Sequence, residues 1–97
     1  MMRVLGTDLV SDDARPYFVW DEDLSNGEIR ELLRSASEPE RLRLLAKILR
    51  EARDEHVWAY TTPEEVARLL PRLLPMLGRR RAFWVYLVEG WRADGLL

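Results

Sequence analysis

The sequence has no cysteine, one histidine and one lysine in 97 residues. Without cysteine there is no disulfide framework, no thiolate zinc site and no thiol nucleophile. His56 alone cannot build a histidine metal cluster. No apolar run approaches the roughly 20 residues that span a bilayer, and no signal-peptide pattern opens the chain. A cytoplasmic location with no membrane contact is therefore expected. The length fits a single domain, residues 1–97, whose core is thin, because a chain this short buries only about 60–70% of its unfolded surface. Hydrophobic residues make up 47% and charged residues 33%, the balance of an ordinary globular domain rather than a disordered one.

The formal charge of −2 hides an uneven distribution. Residues 1–40 hold four arginines against ten acids, a local −6. Residues 41–65 are neutral, and residues 66–97 hold six arginines against Glu89 and Asp94, a local +4. Such segments either attract each other within one fold or present separate faces to partners.

Residues 1–14 show no sustained period and are expected to fray. Pro16 biases Arg15 toward an extended conformation, and the rings of Tyr17, Phe18 and Trp20 then suit an extended aromatic arm, residues 15–23, docked on later helices. Helix starts are legible from there. Ser25 and Glu28 form a capping box, with Leu24 and Ile29 as a staple, opening a helix that ends near Ser35. Ser37, Pro39 and Glu40 repeat the signal before a second helix over about 38–53, with Arg43, Lys47, Arg50 and Arg53 on its polar side. Residues 54–61 read as packed turns. Thr62, Pro63 and Glu65 begin a third helix, and Pro71 and Pro75 predict a kink or break over 69–77 before Gly78. Arg79 to Trp91 is a last amphipathic helix. The expected fold is all-α, with four or five short helices.

The candidate chemistry is sparse. Arg50 and His56 lie at about the spacing of small helical ribonucleases of the HEPN type, with histidine for acid–base work and arginine for phosphate charge. A surface arginine and a histidine at a helix C-terminus account for the pair more simply, since such pairs arise easily in an arginine-rich chain. Asp21, Glu22 and Asp23 lack the upstream Gly-Ser motif of nucleotide-transferring sites and suit the positive end of a helix dipole better than a metal. Arg79, Arg80 and Arg81 form the one concentrated basic feature, and the segment from Thr62 through the last helix loosely follows a helix-turn-helix. Against base reading, the last helix carries Phe83, Trp84, Tyr86, Leu87 and Val88. Four tryptophans are many to bury at this length, and Trp91 with Leu96 and Leu97 is the likeliest excess to meet a partner or a second copy.

Three runs, PYFVWDEDLSNGEIRELL, ERLRLLAKILREARDEHVWAYTTPEEVARLLPRL and GRRRAFWVYLVEGWRADGLL, resemble a group of short bacterial proteins encoded beside nucleotidyltransferase-like proteins of the AbiEii/AbiGii toxin family. The resemblance spans about residues 16–97 and rests on the order of the aromatic-Trp-Asp opening, the LREARD-x-x-VW centre, the T-P-x-E-V helix start and the RRRAFW block. It implies a non-enzymatic, antitoxin-like partner of a nucleotidyltransferase toxin, with no catalytic residue, cofactor or metal to carry over. The sharper expectation is that Asp21, Glu22, Asp23, Glu28 and Glu31, with Trp91, face that partner. A small DNA-binding regulator using Arg79, Arg80 and Arg81 is the alternative.

Overall fold

The computed structural model describes residues 5–97. The fold is all-α apart from one short pairing near the N-terminus. Strands β1 (Leu5–Gly6) and β2 (Arg15–Pro16) run parallel, with Leu5 opposite Arg15. Four helices follow: α1 (Asn26–Ser35), α2 (Glu38–Glu51), α3 (Pro63–Leu73) and α4 (Arg81–Ala93). Single 3-10 turns occupy Tyr17–Val19, Leu74–Met76 and Gly78–Arg80, and a longer one covers Asp54–Ala59.

α2 is the centre of the molecule. Leu44 through Leu49 are all buried, so this helix is covered on several sides rather than along one stripe. Phe18, Val19, Ile29, Val57, Val66, Leu73, Leu77, Trp84 and Val88 close around it. α2 ends at Glu51 and leaves an i to i+4 pair open. The Arg53 N–H donates to the Tyr17 hydroxyl at 2.7 Å, and the Leu49 carbonyl accepts from the Trp84 indole at 2.9 Å. Two aromatic side chains thereby satisfy both halves of the interrupted ladder.

Helix starts follow their local chemistry to different degrees. The Ser25–Glu28 capping box forms in full. Thr62 accepts from the Glu65 N–H, but the Glu65 carboxylate accepts from the Thr61 hydroxyl instead of reaching back to the cap. Ser37 makes no side-chain cap bond; Pro39 has no N–H to offer it, and Arg43 takes the Glu40 carboxylate that a capping box would have used. The expected break around the prolines lies later than Pro71. α3 runs through it to Leu73, and the chain then tightens into 3-10 turns up to Gly78, whose φ of +55° reverses its course. Pro71 leaves the Ala67 carbonyl without its helical donor, and the Arg92 guanidinium of α4 approaches it at 3.5 Å.

Residues 5–14, expected to fray, make defined contacts with the fold; residues 1–4 lie outside the described part. Leu9 is buried, and Asn26 donates from Nδ2 to the carbonyls of Asp8 (2.8 Å) and Ser11 (2.9 Å). The extended arm is also corrected. Only Arg15 and Pro16 are extended; Tyr17–Val19 turn, because the buried Arg15 guanidinium draws the carbonyls of Val19, Trp20 and Glu22 inward. Phe18 and Val19 dock, whereas Trp20 points outward with 66% of its surface exposed.

Candidate partner-binding surfaces

Turning the arm at residue 17 redistributes the acidic segment. Asp21 and Glu22 fold back over α2, where both bond to the Lys47 ammonium, and Glu22 also accepts from Arg43 at 3.0 Å. Lys47, expected on the polar side of α2, is only 5% exposed beneath them. The Lys47 hydrogen bond holds Asp21 and Glu22 below the ordinary carboxylate range, and the Arg43 bond does the same for Glu40. For Lys47, burial disfavours the charge, but the bonds to Asp21 and Glu22 outweigh it and lift its pKa above the usual lysine value. These two acids therefore serve the fold first.

The linkage has a definite sign. Depressed carboxylate pKa values contribute stability that is present above the unfolded range near pH 4 and lost as pH falls through the lower folded values. The raised lysine pKa contributes stability lost only in strong alkali. We expect Lys47→Met to unfold at lower urea than the natural chain at pH 7, with the gap narrowing steadily from pH 5 to pH 2. Equal midpoints at pH 7 would show that the network contributes nothing.

The other acids gather at the start of α1. The Gly27 N–H bonds to the Asp12 carbonyl at 2.9 Å, and a Cβ on Gly27 would stand 3.1 Å from that of Asp12. Glycine here lets the loop approach, which sets Asp12 against the first turn of α1, with Asp13 next to it in the loop and Glu28 and Glu31 one helical turn apart on the helix. Asp12 and Asp13 were not singled out from the sequence, since only the loop's docking brings them there. Asp12 lies 3.6 Å from Arg30, Glu31 pairs with Arg34, and Asp23 lies 3.9 Å from Arg15. Glu28 is engaged in the capping box. Of the five acids predicted to meet a partner, Asp21 and Glu22 thus separate from Asp23, Glu28 and Glu31.

The basic cluster divides as well. Arg80 bonds to Asp54, and its guanidinium carbon sits 4.3 Å from the centre of the Phe83 ring. Arg79 and Arg81 are exposed and make no ion pair among the described residues. Arg50 reaches the Met76 carbonyl at 2.9 Å, while His56 Nδ1 pairs with the Tyr17 hydroxyl at 2.8 Å, so each has a structural partner of its own.

The chain matches no protein-family model, no curated protein and no solved structure. Surface chemistry therefore has to carry the functional reading. Among the described residues no group of three His, Asp or Glu side chains is arranged to hold a metal ion, and no helix is long and apolar enough to cross a membrane. A groove of about 270 Å³ between the helices has a floor of Leu33, Leu42, Leu45 and Leu69. Its rim pairs Arg72 with Glu38 and sets Arg68 4.0 Å from Glu65, leaving it close to charge balance. Trp91, expected to be left over, is half-buried, its ring 5.8 Å from that of Trp58. Leu96, Leu97 and Tyr86 stay exposed beside it.

Proposed function

We propose that this chain is a non-catalytic interaction module, the antitoxin-like partner of a nucleotidyltransferase-type toxin. The observation that supports this reading is the acidic surface at the start of α1. There Asp12, Asp13, Glu28 and Glu31 are held on backbone anchored by the buried Asn26. An enzyme that binds nucleotide phosphates and RNA presents positive charge at its cleft, and a fixed acidic surface competes for it without having to order itself on binding. Asp21 and Glu22 are tied to the buried Lys47, whereas Asp12, Asp23 and Glu31, though each lies near an arginine, keep more than half of their side-chain surface exposed; the contact surface is therefore Asp12, Asp13, Asp23 and Glu31, with Glu28 at its edge.

The test is co-purification with the product of the adjacent gene, which this reading requires to be a nucleotidyltransferase-like protein. Asp12→Lys, Asp13→Lys and Glu31→Lys together should weaken capture at least tenfold while leaving the melting temperature close to that of the natural chain. Undiminished capture would overturn the assignment. The alternative, a helix-turn-helix regulator, draws its support from exposed Arg79 and Arg81 at the start of α4. It requires a salt-sensitive shift of the chain's own promoter DNA that disappears in Arg79→Ala/Arg81→Ala.

A further inference from the structure

The outward face of α4 is unlike that of any other helix. α1 turns Glu31 and Arg34 outward, α2 turns Arg41, Arg43 and Arg50, and α3 turns Glu64, Arg68 and Arg72. α4 buries Trp84 and Val88, and its opposite side carries Ala82, Tyr86, Glu89, Gly90 and Ala93, all exposed. Glu89 is the one charge among these five, and Tyr86 is 75% exposed.

Gly90 is the informative residue. It lies inside the helix, its φ is not positive, and a Cβ there would meet nothing within 4 Å. Among the described residues no contact calls for glycine, yet an interior helical glycine costs about 1 kcal/mol relative to alanine. Close approach by a second helix from outside would make use of the missing side chain.

The face is also complementary to itself. Ala82 lies four residues before Tyr86 and Gly90 four after, while Arg79 lies seven before and Asp94 eight after. Two α4 helices packed antiparallel about an axis at Tyr86 set Ala82 of each copy against Gly90 of the other, with the two phenol rings at the centre. Arg79, just ahead of one helix, then falls beside Asp94, just past the end of the other. Every contact occurs twice, as a two-fold interface requires. A parallel pair would instead bring like charges together.

We propose that the outward face of α4 is a homodimer interface formed by antiparallel packing against a second copy of this chain. This surface is separate from the acidic one, and the inference does not rest on the proposed toxin partner. A thirteen-residue helix is about 20 Å long, so the contact is small and the dimer belongs in the micromolar range.

Sedimentation equilibrium on the full chain, over about 1 to 500 μM, tests this. The natural chain should show a monomer–dimer equilibrium. Gly90→Leu and, independently, Tyr86→Lys should each raise the dimer dissociation constant at least tenfold. Gly90→Leu should melt no lower than the natural chain at low concentration, because leucine favours the helix and the space around it is open. Arg79→Glu should weaken the dimer, and adding Asp94→Arg should restore it. A natural chain that stays monomeric throughout, or a dimer indifferent to both Gly90→Leu and Tyr86→Lys, would overturn the proposal. Loss with Arg79→Glu that Asp94→Arg does not repair would overturn the antiparallel arrangement.

Discussion

Trp84→Ala should destabilise the protein by about 3–5 kcal/mol in urea denaturation at pH 7, the largest effect of any single truncation in this fold. Trp84 is completely buried and is the bulkiest side chain in the core. Its ring meets Phe83 edge-on at 5.2 Å and Trp58 at 6.0 Å, and its indole N–H donates to the Leu49 carbonyl. Alanine opens a cavity beside α2 and leaves that carbonyl buried without a donor. Domains of this size commonly have about 5–15 kcal/mol in total, so the loss removes a large share of the stability. Trp84→Phe separates the two contributions. It keeps much of the volume but removes the donor, and it should cost about 1–3 kcal/mol. If Trp84→Phe proves as damaging as Trp84→Ala, the carbonyl matters more than the packing.

The same residue shows what a sequence can and cannot disclose. That Trp84 lies on the buried face of an amphipathic helix is legible from its spacing with Leu87, Val88 and Trp91. That its N–H meets Leu49 is not, because the pairing depends on where α2 ends and on how α4 crosses it. Helix starts are legible for the opposite reason: the Ser25–Glu28 box is complete within four residues. The signal weakens as soon as a more distant group competes, as Arg43 does for Glu40. Lys47 is the sharpest case. Its position in the helical pattern assigns it to the polar side of α2, and its burial follows from an arm that turns at residue 17, itself set by Arg15 binding three carbonyls.

The candidate surfaces divide along the same line. Charge partition along the chain correctly points to an acidic N-terminal third, but it cannot separate acids that bind partners within the fold from those that face outward. Asp21 and Glu22 differ from Asp12 and Asp13 only through contacts made across 25 or 26 residues to Lys47 in the first pair, and across 15 to Gly27 for Asp12 in the second. The outward face of α4 is legible in part: its periodicity leaves Ala82, Tyr86, Gly90 and Ala93 together, opposite Trp84 and Val88, but that no described residue covers them depends on how the helices pack.

Asn26 provides the second large effect, with an unusual dependence on pH. The side chain is fully buried and makes three hydrogen bonds: Nδ2 donates to the carbonyls of Asp8 and Ser11, and Oδ1 accepts from the Tyr60 hydroxyl at 2.8 Å. One amide thus joins the N-terminal loop, the start of α1 and the turn before α3. Asn26→Asp keeps the shape but replaces the donor with an oxygen that faces two carbonyls. At pH 7 its buried negative charge has no donor in place of Nδ2, and the loss should be about 3–5 kcal/mol. Burial raises the pKa of such a carboxyl in the folded state above its unfolded value near 4. The penalty therefore grows as pH rises above that value and is relieved as pH falls through it. The natural chain behaves in the opposite way in acid, because the pKa values of Asp21 and Glu22 are depressed. Urea midpoints of the two proteins should consequently converge between pH 7 and pH 4. Amide exchange across residues 8–14 should accelerate in the variant, since the loop loses the donor that anchors it. A constant gap at every pH would mean that the aspartate reaches water and that the loop is held by something other than Asn26.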